Sequence, residues 1–142
     1  MAILLKRTRE AASPEDGARV LVERRRPRGI AEGSLQLRAW LPVLAPSEAL
    51  RRWFAARPLQ WPIFRRRYLA ELGSEAAADG LSELHAMAES EKTLTLLVSA
   101  RHQERSHAAI LRDLLEGARK PPSTSGPARA AAGASVRARR KR

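Results

Sequence analysis

Thr93-Leu94-Thr95-Leu96-Leu97-Val98 runs without a break into Ser99-Ala100-Arg101, and a helical pattern follows almost at once. The first six residues are continuously apolar or β-branched. That composition suits a strand buried on both faces, and such strands are usually parallel with helices covering the sheet. Downstream, His107, Ile110, Leu111, Leu114 and Leu115 recur at i, i+3, i+4, i+7 and i+8. The spacing predicts a helix over about 103–116 with that stripe turned inward and Gly117 as its stop. Strand then helix is half of a parallel α/β unit, and it decides the fold class.

Working outward, two more short apolar runs read as strands: Ile3-Leu4-Leu5 and Val20-Leu21-Val22. Between them lies a turn-prone stretch with Ser13-Pro14 and Asp16-Gly17. It is about a dozen residues long, near the lower limit for a parallel crossover, so the direction of the first strand stays open. Helices fill the middle of the chain. Ser47 is an N-cap, with Glu48 in the first turn and Leu50, Trp53 and Phe54 on one stripe. Pro58 ends that helix. Trp61, Phe64, Tyr68 and Leu72 share the face of the next, which carries Pro62 in its first turn and Gly73 as a C′ residue. A third helix covers roughly 75–89, with Leu81, Leu84 and Ala88 inward. The expected architecture is therefore α/β, a small and mainly parallel three-stranded sheet covered by helices, over residues 1–117. Residues 118–142 are expected to form a disordered basic tail. Pro121-Pro122 opens a linker composition, and Val136 is the only large aliphatic side chain.

The net charge is +12, yet it is unevenly held. The tail carries eight of those charges and no acid, and residues 1–117 carry 19 basic and 15 acidic side chains. Of the 27 basic residues 23 are arginine, a bias that GC-rich coding DNA produces without any partner. With no cysteine, disulfides and thiolate metal sites are excluded. Met1 through Arg7 does not read as a signal peptide and no stretch reads as long enough to span a bilayer, so a cytoplasmic protein is expected.

Several exact residues resemble the YeaO-like proteins, domain-of-unknown-function family 488. They include Asp16-Gly17 leading into Arg19 through Arg24, then Pro27-Arg28-Gly29-Ile30. Trp40-Leu41, Ala45-Pro46-Ser47 and Leu50 through Phe54 follow. Trp61, Phe64, Arg65, Tyr68, Glu71 and Leu72 match the next block, and Thr95-Leu96-Leu97, Ser99-Ala100-Arg101 and His107-Ala108 match the last. The likeness spans about Lys6 to Glu116. Polar positions depart from the family pattern: Glu23 stands where Asp is usual, Arg26 where Trp is, and Ser106 where Asn is. The resemblance implies an uncharacterised protein, and the departures imply a divergent member.

Each expected strand ends in cations: Lys6 and Arg7, then Arg24 through Arg28, then Arg101. Parallel strands would deliver them to the C-terminal sheet edge, where open α/β sheets bind ligands. Lys6, Arg7, Arg24, Arg28, Ser99 and Arg101 are the candidate ligand-binding residues. The expected ligand is an anionic small molecule, a nucleotide or phosphorylated metabolite. The bland reading is that these arginines make structural salt bridges with Glu23, Glu71 and Glu104. His107 is the candidate general acid or base, set against a core histidine bonded to backbone. An alternative function is nucleic-acid binding or transcription regulation through Arg137, Arg139, Arg140, Lys141 and Arg142. Another is an inactive relative acting only by protein contacts. Neither a metal site nor a cofactor is expected: the histidines lack ligand spacing, and P-loop and dinucleotide fingerprints are absent.

Overall fold

Four strands build the sheet in this computed structural model, which describes residues 2–119. They are β1 (Ala2–Arg7), β2 (Ala18–Leu21), β3 (Ala39–Trp40) and β4 (Thr93–Val98), in the order β1-β4-β2-β3. Every pairing is parallel, including β1 on β4 from Ala2↔Thr93 to Arg7↔Val98. That fixes the direction of the first strand. The sheet has one strand more than the sequence suggested. β3 is two residues long and carries no apolar run of its own; its register, Val20↔Ala39 and Leu21↔Trp40, is supplied by β2.

The period-two alternation of strands assigns side chains to two faces. Ile3, Leu5, Ala18, Val20, Leu94, Leu96 and Val98 share one face and join the main core. This face is covered by α2 (Glu48–Ala56), α3 (Trp61–Leu72), α4 (Glu75–Ser90) and α5 (His107–Arg119). Leu4, Lys6, Arg19, Leu21, Thr95 and Leu97 share the other. The connections after β1 and β2 cover it; the second of these contains α1 (Glu32–Leu35). Buried there, the Asp16 carboxylate takes the Lys6 ammonium at 3.0 Å and the Arg19 guanidinium at 2.6 Å. Arg19 also donates to the Leu35 carbonyl, and Thr95 Oγ1 donates to the Asp16 carbonyl at 2.7 Å.

Local signals account for most of the helix ends. Ser47 accepts the Leu50 N–H as an N-cap, and Ser74 does the same for Ala77. Gly73 closes α3, but at φ −78° it is not the left-handed residue expected there. Gly80 is buried in α4 against Val43 and Leu44, where a Cβ would stand 2.6 Å from Val43 Cγ1 and 3.3 Å from Leu44 Cδ2. The predicted helix over 103–116 divides in two. A single 3-10 turn, Gln103–Arg105, precedes α5, which starts at His107 and continues through Gly117 to Arg119. It therefore runs two residues past the expected boundary. The remainder of the expected tail, with Arg137, Arg139, Arg140, Lys141 and Arg142, lies outside the described residues.

No helix among the described residues is long and apolar enough to cross a membrane.

Candidate functional site

The connection after β2 leaves over one face of the sheet, and the connection after β4 enters α5 on the opposite face. β2 and β4 are neighbours. Their carboxyl ends therefore part at a topological switch point, the place where open parallel sheets hold ligands. A cleft of about 500 Å³ opens there. One wall is Glu23 through Arg28, a second is Ser99-Ala100 with Arg105 through His107, and α2 and α3 supply Glu48, Arg51, Phe54 and Phe64.

Six arginines and two carboxylates line the cleft: Arg24, Arg25, Arg26, Arg28, Arg51 and Arg105 against Glu23 and Glu48. Both carboxylates are held by neighbouring groups. Glu23 Oε2 accepts the Ser99 backbone N–H at 2.8 Å, joining the two strand ends. Glu48 is gripped by Arg51 and Arg52 at 2.5 and 3.1 Å, which pulls its pKa down to about 2. Arg24 Nη2 donates to the Pro46 carbonyl at 3.1 Å. Arg26 lies 4.7 Å over the Trp40 ring, and Arg105 lies 6.0 Å over Trp61. Among the described residues Arg25, Arg28 and Arg105 form no ion pair. The salt bridges suggested by the sequence are not those made: Glu71 binds the N–H and hydroxyl of Ser47, and Glu104 pairs with Arg112. Gly29 takes φ +75° and turns the chain behind Arg28.

His107 opens α5 at the cleft wall. Its Nε2 lies 2.7 Å from the Val22 carbonyl, which can only accept, so Nε2 carries the proton. Burial lowers the pKa from the ordinary 6.5, against the opposing pulls of Glu23 and of the Val22 bond. The ring is neutral at neutral pH and stands edge-on to Tyr68 at 5.7 Å. Tyr68 in turn donates its hydroxyl to the Leu44 carbonyl at 2.6 Å. This is the core histidine bonded to backbone, and it shapes the cleft from below.

Of the residues singled out in the sequence, the cleft gathers Arg24, Arg28, Ser99 and His107. It does not gather Lys6, Arg7 or Arg101. β1 is an outer strand with β4 between it and the cleft, and strand alternation turns Lys6 to the opposite face, onto Asp16. Arg7 sits at the end of the same outer strand, its backbone N–H bonded to Glu10. Arg101 is exposed and outside the lining, which resumes only at Arg105. Arg25, Arg26, Arg51, Arg105, Phe54 and Phe64 are additions. For the first two the signal was the unbroken arginine run after β2; for Arg105 no local signal existed. Among the described residues no three His, Asp or Glu side chains converge to hold a metal ion.

Fold and site together define a class: a small parallel α/β domain with a cation-rimmed cleft at the switch point of its sheet. Residues 2–131 match the family described as the inactive DUF488-N3 subclade. The chain belongs to this YeaO-like DUF488 family. It is similar to the uncharacterized protein YeaO of Escherichia coli, with 37% identity over 116 residues, covering 81% of this chain and 97% of that one. The uncharacterized protein Rv3073c of Mycobacterium tuberculosis is also 37% identical, over 115 residues, covering 81% of this chain and 94% of the relative. No solved structure matches the chain.

Proposed function

We propose that the cleft binds an anionic small molecule, a nucleotide or phosphorylated metabolite, without turning it over. The observation that carries this reading is the pair Arg25 and Arg28, exposed at the rim of a switch-point cleft and, among the described residues, not paired with a carboxylate. Guanidinium groups without ion pairs offer planar, charge-assisted donor pairs that suit phosphate oxygens. A binding role also fits the groups that could otherwise do chemistry. The protonated nitrogen of His107 is committed to Val22, and one oxygen of Glu23 to Ser99. The name of the subclade, inactive, points the same way.

Thermal unfolding in the presence of pyrophosphate and of sugar phosphates tests the reading. A rise in midpoint that grows with ligand concentration, shrinks in high salt and is lost in Arg28→Ala supports it. Unchanged midpoints up to millimolar ligand would overturn it.

A further inference from the structure

The cleft lining is not only charged. Phe54 of α2 and Phe64 of α3 also belong to it, beside Glu48 and Arg51. Their rings stack with centroids 4.4 Å apart and planes 23° from parallel. The stack continues inward from Phe64 to Tyr68 at 6.0 Å and 7°. Tyr68 and Phe64 are buried at 0% and 3% exposure, whereas Phe54 is only half-buried. Phe54 and Phe64 are thus the cleft-lining members of a cluster of rings that also holds Trp61, 5.8 Å from Phe54 and outside the lining.

A ligand that is only an anion leaves these two rings unused. At about 500 Å³ the cleft also exceeds what a lone phosphate fills and lies among pockets of about 300–1,000 Å³ that enclose drug-sized molecules. We infer that the ligand carries a flat heteroaromatic ring as well as a phosphate, the chemistry of a nucleoside monophosphate. The base lies against Phe54 and extends the stack, while the phosphate meets Arg25 and Arg28. Glu48 also lines the cleft, and a carboxylate has more acceptor sites than Arg51 and Arg52 occupy, so it can take a ribose hydroxyl or base amino group. This inference rests on the anion-binding reading and chooses within it.

Calorimetric titration of the full chain with AMP and with ribose 5-phosphate separates the two. AMP is expected to bind about 5- to 150-fold more tightly, the range that one base–aromatic stack confers. Phe54→Leu should bring the AMP affinity down toward that of ribose 5-phosphate, with a cooperative thermal transition reporting that the variant is folded. Phe54→Trp should keep the preference. Equal affinities for AMP and ribose 5-phosphate in the unaltered protein would sink the aromatic subsite while leaving the anion site standing. Binding of neither would remove the anion site itself, and the subsite with it.

Discussion

The Nε2–H of His107 donates to the carbonyl of Val22, 85 positions earlier in the chain, at 2.7 Å. That bond ties the first residue of α5 to the end of β2 across the switch point. It holds two walls of the cleft together, and it commits the protonated nitrogen of the residue expected as a general acid or base to main chain. Replacing His107 by Ala should cost about 2–4 kcal/mol in urea unfolding, from the stranded carbonyl and the space left beside Tyr68.

The same histidine predicts a pH dependence. Its folded pKa lies below 6.5 through burial, and His85 is lowered by burial too. A histidine kept neutral by folding stabilises fully above its unfolded pKa and loses that contribution as pH falls toward its folded pKa. Stability should therefore decline below pH 6.5, at up to about 1.4 kcal/mol per pH unit for each histidine, before the carboxylates titrate. His107→Phe, which keeps the volume and removes the proton site, should flatten the steeper part of that decline. Chemical denaturation at several pH values between about 5 and 8 checks this.

On the other face of the sheet, Asp16 holds two cations in a buried triad. Burial would raise its carboxyl pKa, but the Lys6 ammonium, the Ser13 N–H and the Arg19 guanidinium together hold it below the usual range. Asp16→Asn leaves Arg19, whose side chain is 4% exposed, without its counter-charge. The expected loss is about 3–5 kcal/mol, read from denaturant midpoints.

Gly17 adjoins that triad at φ +63° and ψ −134°, and a Cβ there would lie 2.2 Å from the Thr93 carbonyl oxygen. Both the backbone conformation and the contact with main chain exclude a side chain. Gly17→Ala should destabilise by about 3 kcal/mol or more, detectable as a lowered thermal midpoint.

Two arginines after two different strands give opposite expectations for binding. Arg28 lines the cleft and Arg101 does not. Arg28→Ala should weaken a phosphate-bearing ligand about ten- to hundred-fold, the loss of one charged hydrogen-bonded contact, and Arg101→Ala should leave it unchanged. Calorimetry on the two variants decides.

Much of this architecture can be read from the chain, for identifiable reasons. β2 and β4 announce themselves because strands buried on both faces must be continuously apolar, and β1 shows the same kind of run although it is an edge strand with Leu4 exposed. The α5 stripe places His107 inward because a 3.6-residue period does so whatever surrounds it. β3 stays hidden because two residues carry no period, and its pairing is decided by β2. The candidate site is only half legible. Arg24, Arg28 and Ser99 follow from strand ends alone, and His107 from the helix stripe. Lys6 was misplaced because the rule of cations at strand ends ignores which face a side chain takes, and its partner Asp16 lies in a segment whose sequence says only turn. Phe54 and Phe64 read as core, and Phe64 is core with Phe54 half-buried against it; that both also line the cleft depends on how α2 and α3 pack, which no local pattern encodes.

The central claim is that an anionic ligand sits between the ends of β2 and β4. Backbone amide chemical shifts recorded while AMP is titrated into the isotopically labelled chain test it most directly. Perturbations confined to residues 23–28, 46–54 and 99–107, and lost in Arg28→Ala, are what the account predicts. Saturating AMP that moves no amide there, or moves only those around Lys6, Asp16 and Arg19 on the opposite face, would contradict it.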